Sequence, residues 1–250
     1  MGEDVEQDAA PVTHAVSKPW ASLSRVRLGA VLLIVGSVQF FIAMAVEQAL
    51  RPGYYDVGIG SNTISDLGVN IHGWGYDWIF NSSVMILGFL AIAGIVALYP
   101  VLPKNGRTYP AAWVVCIGCL GAICIGIFTE STTAMGGLAH DYFSVFTFGF
   151  ANIGLTMMGI AMWGDKVWGR HALLTLGLGI LSVVALAFYI QNELTKGIYF
   201  GLGEGGLERV VAFPVILWAI FAGIVVLRNE AAKARASSNL LSPSSAGSVG

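Results

Sequence analysis

Residues 111–128 read AAWVVCIGCLGAICIGIF, an apolar run without a charged side chain. A helix needs about 20 mostly apolar residues to cross the hydrocarbon core of a bilayer. Because that core offers no water to the backbone, such a run is expected to form a helix that satisfies its own hydrogen bonds. The stretch therefore predicts a membrane-spanning helix, and it sets the pattern for the rest of the chain.

The chain contains six runs of this kind. They cover residues 28–50, 78–99, 111–128, 142–163, 172–190 and 210–227. None shows the alternation of apolar and polar residues that is typical of a membrane β-barrel strand. Hydrophobic residues make up 56% of the sequence and charged residues only 11%, whereas soluble domains carry about 25% charged residues. We therefore predict an all-α, polytopic membrane protein with about six transmembrane helices.

The basic residues predict how these helices are oriented, because cytoplasmic loops carry an excess of Lys and Arg. With the N-terminus inside, three basic residues fall outside: Arg51, Lys196 and Arg209. The other ten fall inside: Lys18, Arg25, Arg27, Lys104, Arg107, Lys166, Arg170, Arg228, Lys233 and Arg235. We expect both termini to be cytoplasmic and the protein to lie in the cell membrane.

Composition divides the chain into three parts. Residues 1–24 are polar and are predicted to form a disordered N-terminal segment, residues 25–228 the six-helix transmembrane domain, and residues 229–250 a disordered, Ala/Ser/Gly-rich tail. The net charge is −2 and no nucleic-acid motif is present, so a nucleic-acid partner is not expected. The expected partners are the lipid bilayer and a lipid ligand. No sequence feature assigns a cofactor or an oligomeric state.

Polar residues gather at the predicted outer ends of all six helices, while the inner halves are nearly bare of them. Ionisable groups near hydrocarbon tend to face the protein interior. This asymmetry predicts a polar pocket that opens to the outer face. The alternative is that these residues are simply solvated, since helix ends at the membrane surface are normally polar.

Three residues in this layer are candidates for catalysis: Asp66, Glu130 and His140. Asp66 is either an acid, base or ligand anchor or an aspartate that caps loop backbone. One His with two carboxylates can hold a metal or orient a nucleophile, but the chain lacks HxxxH or HExxH spacing, so no metal is assigned. The candidates for ligand binding are Ser65, Asn81, Glu208 and Arg209; the last could attract a phosphate or a carboxylate.

Four short segments, in order, resemble a known membrane family. They are 64–68 (ISDLG), 79–83 (IFNSS), 126–130 (GIFTE) with His140, and 206–209 (GLER) with Pro214 and Trp218. Together they resemble the family known only as domain of unknown function 998, over residues 28–227. More remotely, the ISDLG segment and His140 look like six-helix proteins of the autophagy-modulator and Frag/Sfk type. That resemblance implies lipid handling or lipid-anchor remodelling.

Three functions remain open at this point. The first is a protein that binds a lipid or a partner segment in its outer pocket. The second is a membrane-embedded hydrolase or transferase acting on a lipid or a lipid-linked substrate, with acid–base chemistry from the three candidate residues. The third is a transporter, against which the apolar inner half and the lack of an internal repeat argue.

Overall fold

Six long helices form the molecule in the computed structural model, which describes residues 19–52, 62–70, 73, 75–195 and 199–241. The helices are α1 (Pro19–Leu50), α2 (Asp77–Leu98), α3 (Thr108–Ile127), α4 (Ala139–Met162), α5 (Gly169–Thr195) and α6 (Gly203–Leu241). Three short 3₁₀ turns lie between them, at Ser65–Gly68, Tyr99–Val101 and Ala134–Gly137. The described residues contain no β-strand.

All six helices are long and apolar enough to cross a membrane, which confirms the predicted all-α, polytopic fold. The main difference lies at the two ends of the chain. Helix α1 begins at Pro19, nine residues before the predicted apolar run, and α6 continues to Leu241. Residues 229–241, which composition assigned to a disordered tail, are therefore helical. The segments 1–18 and 242–250 lie outside the described residues.

The helices form a closed ring. Each one packs against the next in sequence, and α6 returns to pack against α1. The short α2–α3 and α4–α5 connections make their helices antiparallel neighbours, as the sequence predicted. We call the side with these two connections, the start of α1 and the end of α6 the termini end. The opposite side, with the α1–α2, α3–α4 and α5–α6 connections, is the loop end.

Glycines allow the closest approach between helices in this ring. A Cβ at Gly118 of α3 would lie 2.5 Å from the backbone nitrogen of Ala151 on α4, and a Cβ at Gly154 would lie 2.7 Å from that of Val115. Neither distance is possible for a real side chain. Because lipid tails are as apolar as the helices, close packing of this kind is what holds membrane helices together.

Helix α6 contains Pro214, which removes a backbone donor from the helix. The fully buried Asn152 of α4 donates its side-chain amide to the carbonyl oxygen of Val211, at 3.0 Å, one turn before the proline. The carbonyl that Pro214 leaves without its helical donor is that of Val210, four residues earlier, so the bond from Asn152 goes to the carbonyl next to it. The contact fixes α4 against the first part of α6.

Candidate functional site

Residues 62–69, which follow α1, fold into a compact structure at the loop end that we call the loop plug. Its centre is the 3₁₀ turn Ser65–Gly68. The Asp66 carboxylate accepts a hydrogen bond from the backbone N–H of Thr63 at 2.7 Å, and the Thr63 hydroxyl accepts one from the N–H of Asp66 at 3.1 Å. This reciprocal pair has the pattern of a helix capping box. Asp66 therefore serves the backbone of its own loop.

Arg51, which directly follows α1, binds the C-terminal end of the loop plug. Its side chain is only 1% exposed. The guanidinium donates to the carbonyl oxygens of Val69 at 3.0 Å, Leu67 at 3.0 Å and Asp66 at 3.3 Å. The carbonyl of Asp66 also accepts the backbone N–H of Val69 at 3.3 Å. Those of Leu67 and Val69 lie at and just after the end of the turn, where a 3₁₀ helix leaves acceptors unpaired. One buried cation thus satisfies three backbone groups.

A buried carboxylate accompanies this arginine. Glu47, one helical turn earlier on α1, is fully buried and forms an ion pair with Arg51. Its other oxygen accepts the backbone N–H of Phe80, at 2.8 Å, in the first turn of α2. Asn81 adds a bond from its side-chain amide to the carbonyl oxygen of Gly68 at 3.1 Å. The plug is therefore tied to both α1 and α2.

Helix α6 binds the N-terminal end of the loop plug through Glu208, which is 3% exposed. Its carboxylate accepts the backbone N–H of Ile64 and, at 3.0 Å, the hydroxyl of Ser65. The next residue, Arg209, donates to the carbonyl oxygen of Asn62 at 3.0 Å. Glu208 thus lies at the start of the 3₁₀ turn and Arg51 at its end. This arrangement of an acidic and a basic group matches the polarity of helical backbone.

A cavity of about 110 Å³ lies directly beneath the loop plug, inside the helix ring. Its wall comes from five of the six helices and is almost wholly apolar; α5 does not contribute. Ser65 and Glu208 lie at the loop end of the cavity, and Trp218 and Ala219 lie deepest on α6. At about 1.5 Å of rise per residue, Glu208 to Ala219 spans about 16 Å. The space is long and narrow.

Towards the termini end, the cavity stops at a packed core. The next space along the axis is only about 10 Å³, lined by residues that include Leu98, Met158 and Trp168. Each of these three side chains is 2% exposed. Such a space holds at most about one water molecule. The cavity is therefore closed at this end in the structure.

The sequence predicted a polar pocket, and the structure has a different arrangement. Five of the polar candidates bind one another or the loop backbone and so close a space whose own wall is almost wholly apolar: Ser65, Asp66, Asn81, Glu208 and Arg209. Of the four ligand-binding candidates, Ser65 and Glu208 line the cavity. Asn81 and Arg209 bond to the loop plug instead.

Glu130 follows α3 on the same side of the molecule. Desolvation raises its pKa to about 7, although part of the side chain remains exposed, and the negative charges of Asp66 and Glu208 are the next causes. This coupling means that Glu130 shares the electrostatic environment of the plug.

His140, in the first turn of α4, is 4% exposed and donates from Nδ1 to the carbonyl oxygen of Phe128 at 3.0 Å. Its Nε2 is buried without a hydrogen-bond partner among the described residues.

The three catalytic candidates therefore keep different partners. Asp66 bonds within the plug, His140 bonds to the end of α3, and no hydrogen bond in the described part of the chain joins either to Glu130. Nor do the described residues contain three His, Cys, Asp or Glu side chains placed to hold a metal ion. This geometry gives Asp66 a capping role and leaves Glu130 as the candidate with proton-exchange chemistry near neutral pH.

With this geometry established, comparison with known proteins identifies the family. Residues 34–225 match the family model described as protein of unknown function (DUF998). The chain belongs to the DUF998 family. This confirms the resemblance carried by the four sequence segments, three of which supply loop-plug contacts: Ile64–Gly68, Asn81 and Glu208. No curated protein and no solved structure matches the chain, and the remoter resemblance to Frag/Sfk-type proteins stays a prediction.

Sequence reasoning missed the two most buried ionic groups of this DUF998 protein. The sequence marks Glu47 only as a polar residue at the outer end of the first helix, and Arg51 only as one of three basic residues on the outer side. Their spacing of four residues places them on one face of a helix, which is a recognisable ion-pair signal. What the spacing could not give is the set of loop carbonyls that Arg51 binds.

Proposed function

We propose that this protein binds a membrane lipid, with one hydrocarbon chain in the apolar cavity and the polar end of the lipid at the loop end. The single observation that carries the proposal is the shape and lining of the cavity. It is narrow and almost wholly apolar along about 16 Å of α6, and its loop end carries the polar side chains of Ser65 and Glu208. An apolar space of this size either stays empty or takes an apolar guest.

Selectivity in such a site has to come from the polar end of the ligand. A hydrocarbon chain gains little by moving from lipid into a protein wall that is equally apolar. A hydroxyl or amide on the lipid could instead bond to Ser65 or Glu208, which lie at the boundary between the cavity and the polar layer. Glu130, on the same side, adds an acidic group that exchanges a proton near pH 7.

The test fills the cavity without touching the polar layer. Ala122 lines the cavity and is buried, so Ala122→Leu places a larger side chain in the space that the lipid chain would occupy. Ala187→Leu makes the same change on an exposed face of α5, outside the cavity, and is the matched control. Both are purified in mild detergent, and retained lipid is measured by native mass spectrometry.

We expect wild type and Ala187→Leu to retain the same lipid in near-equal amounts, and Ala122→Leu to lose it while keeping its melting temperature. Equal lipid retention in all three proteins would refute a chain in the cavity. Wild type that carries no lipid after purification from native membranes would refute the proposal as well.

A second candidate function is a hydrolase or transferase acting on a lipid or a lipid-linked substrate. The observation that favours it is the Ser65 hydroxyl, which donates to the Glu208 carboxylate at 3.0 Å at the end of an apolar cavity. A hydroxyl beside a carboxylate is the arrangement from which a serine nucleophile can be activated. Turnover of a bound lipid that is lost in Ser65→Ala and in Glu208→Gln, with the melting temperature kept, would establish it; unchanged lipid after prolonged incubation would exclude it.

The closed end of the cavity favours binding over transport, because the space beyond it, lined by residues that include Leu98, Met158 and Trp168, is only about 10 Å³. From the distribution of basic residues, we also propose that the protein lies in the cell membrane with both termini facing the cytoplasm. A fluorescent protein fused after residue 250 tests the orientation. The reporter is one that matures in the cytoplasm but stays dark when it is exported across the membrane as an unfolded chain. Fluorescence supports it, and a dark but stably inserted fusion contradicts it.

A further inference from the structure

A second open space lies at the termini end, on the other side of the packed core from the cavity. It is a groove of about 610 Å³ between the α2–α3 connection, the α4–α5 connection and the last part of α6. Trp168 and Val226 contribute apolar walls. No residue lines both the lipid-chain cavity and the groove. Trp168, which lines the groove, belongs to the packed core that separates the two spaces, so the groove is a separate feature of the molecule.

Charge in this groove is strongly one-sided. Four basic side chains line it, namely Lys104, Lys166, Arg170 and Lys233, against a single acidic one, Glu230. They come from three separate segments of the chain, so folding is what brings them together. Cations around one concave space favour an anionic ligand.

Glu230 is the unusual member of the set. It is only 3% exposed, although it lies on the part of α6 that lines the groove. One carboxylate oxygen accepts a hydrogen bond from Lys233 at 2.8 Å. The other oxygen, Oε2, is buried with no partner among the described residues. A buried acceptor without a donor is unfavourable, so the site is suited to a ligand that supplies a hydroxyl or an N–H.

The height of the groove in the bilayer narrows the class of ligand. Helix α2 ends at Leu98 and α4 ends at Met162, and the groove residues begin within one or two turns of these ends. Lipid phosphates lie at this level, where the apolar parts of spanning helices stop. Basic pockets between transmembrane helices are typical sites for anionic headgroups.

We propose that this groove binds the headgroup of an anionic phospholipid that carries a free hydroxyl next to its phosphodiester, as glycerol-type headgroups do. The phosphate lies against Lys166 and Arg170, and a headgroup hydroxyl donates to Oε2 of Glu230. The basic residues explain the preference for negative charge, and the orphaned carboxylate oxygen explains the preference for a hydroxyl. This site is independent of the lipid-chain cavity.

The test removes two exposed charges from the groove and compares them with two outside it. Lys166→Gln/Arg170→Gln is the groove variant. Arg107→Gln/Arg228→Gln removes two exposed basic residues from the same end of the molecule that do not line the groove. The probes are phosphatidylglycerol and phosphatidylethanol, which carry the same charge but differ in the free hydroxyls. Affinities are measured by native mass spectrometry with the full-length protein.

We expect the groove variant to bind phosphatidylglycerol about 30-fold more weakly than wild type, since each basic contact near a membrane surface is worth about a fivefold change in affinity. The control variant should stay within about twofold of wild type by the same measure, since its charges do not contact the ligand. Wild type should prefer phosphatidylglycerol over phosphatidylethanol by about tenfold, the effect of a hydrogen bond to a charged group. Glu230→Gln should reduce that preference.

Three results would overturn the proposal. Equal losses in the two double variants would show a general attraction by surface charge rather than a site. Equal binding of the two lipids by wild type would remove the role of Glu230. Displacement of phosphatidylglycerol by millimolar inorganic phosphate would assign the groove to a soluble phosphate compound instead of a lipid.

Discussion

Replacing Arg51 with Met tests whether the loop plug depends on one buried cation. Methionine matches the aliphatic stem of arginine and carries no charge, so it removes the guanidinium and leaves the packing of the stem. One oxygen of Glu47 and the backbone carbonyls of Leu67 and Val69 lose their donor, while the carbonyl of Asp66 keeps the backbone N–H of Val69. Because Arg51 is 1% exposed and Glu47 is fully buried, water cannot replace the lost bonds without opening the plug.

The size of the effect follows from that burial. Removing one partner of a buried ion pair destabilises a protein by about 3–5 kcal/mol, because the remaining charge stays uncompensated. In the double variant Glu47→Gln/Arg51→Met, that charge is gone and Gln can still accept the N–H of Phe80. The carbonyls of Leu67 and Val69 then remain unpaired, at about 1–3 kcal/mol each, as they do in Arg51→Met. The double variant should therefore be more stable than Arg51→Met by about 2 kcal/mol.

Reversible unfolding in detergent, titrated with a denaturing surfactant, measures these free energies. Arg27→Met, which removes an exposed arginine from the same helix, is the control and should change stability by no more than about 0.5 kcal/mol. If Arg51→Met unfolds within about 1 kcal/mol of wild type, the range of a solvent-screened pair, the arginine does not hold the plug. A double variant that is less stable than Arg51→Met would contradict the role given to the Glu47 charge.

Three further predictions concern other parts of the molecule. Because the pKa of Glu130 is raised from 4.5 to about 7, its stabilising contribution is fully present below about pH 4.5 and is lost as the pH rises towards 7. The melting temperature of Glu130→Gln should lack this pH dependence, and identical pH profiles for the variant and wild type would contradict the raised pKa. Gly118→Ala should destabilise the protein by about 1–3 kcal/mol through the clash with α4, whereas Gly177→Ala, where a Cβ meets nothing within 4 Å, should stabilise it by up to about 1 kcal/mol; equal effects in surfactant unfolding would refute the close contact. Asp66→Ala should lower stability by about 0.5–2 kcal/mol, as for a lost cap, with lipid retention unchanged; lost retention at unchanged stability would instead make Asp66 a ligand residue.

The fold could be predicted from sequence because its signal is local. Each helix is predicted by its own apolar run, and short connections predict which helices are antiparallel neighbours. The ends were less accurate: residues 229–241 are polar and Ala-rich, but they continue α6 as helix. Composition alone does not distinguish a soluble helical extension from a disordered tail.

The candidate site was only partly predictable, because its contacts join distant parts of the chain. The layer of polar residues and the importance of residues 64–68 could be recognised, but the bond from Ser65 to Glu208 spans 143 residues. The Thr63-x-x-Asp66 capping pattern was available in the sequence and would have identified Asp66 as a cap. The apolar cavity could not be foreseen, since it depends on how five helices fail to fill the space between them.

Photo-crosslinking with a lipid that carries a diazirine in its acyl chain tests the central claim most directly. Residues that face the bilayer, such as Trp113 at 54% exposed, will be labelled in any case. The claim predicts additional labels on buried residues that line the cavity, above all Ala122 and Trp218. Met162 and Ala172, which are equally buried but do not line it, should remain unlabelled. Labelling confined to bilayer-facing residues would contradict the presence of a lipid chain inside the helix ring.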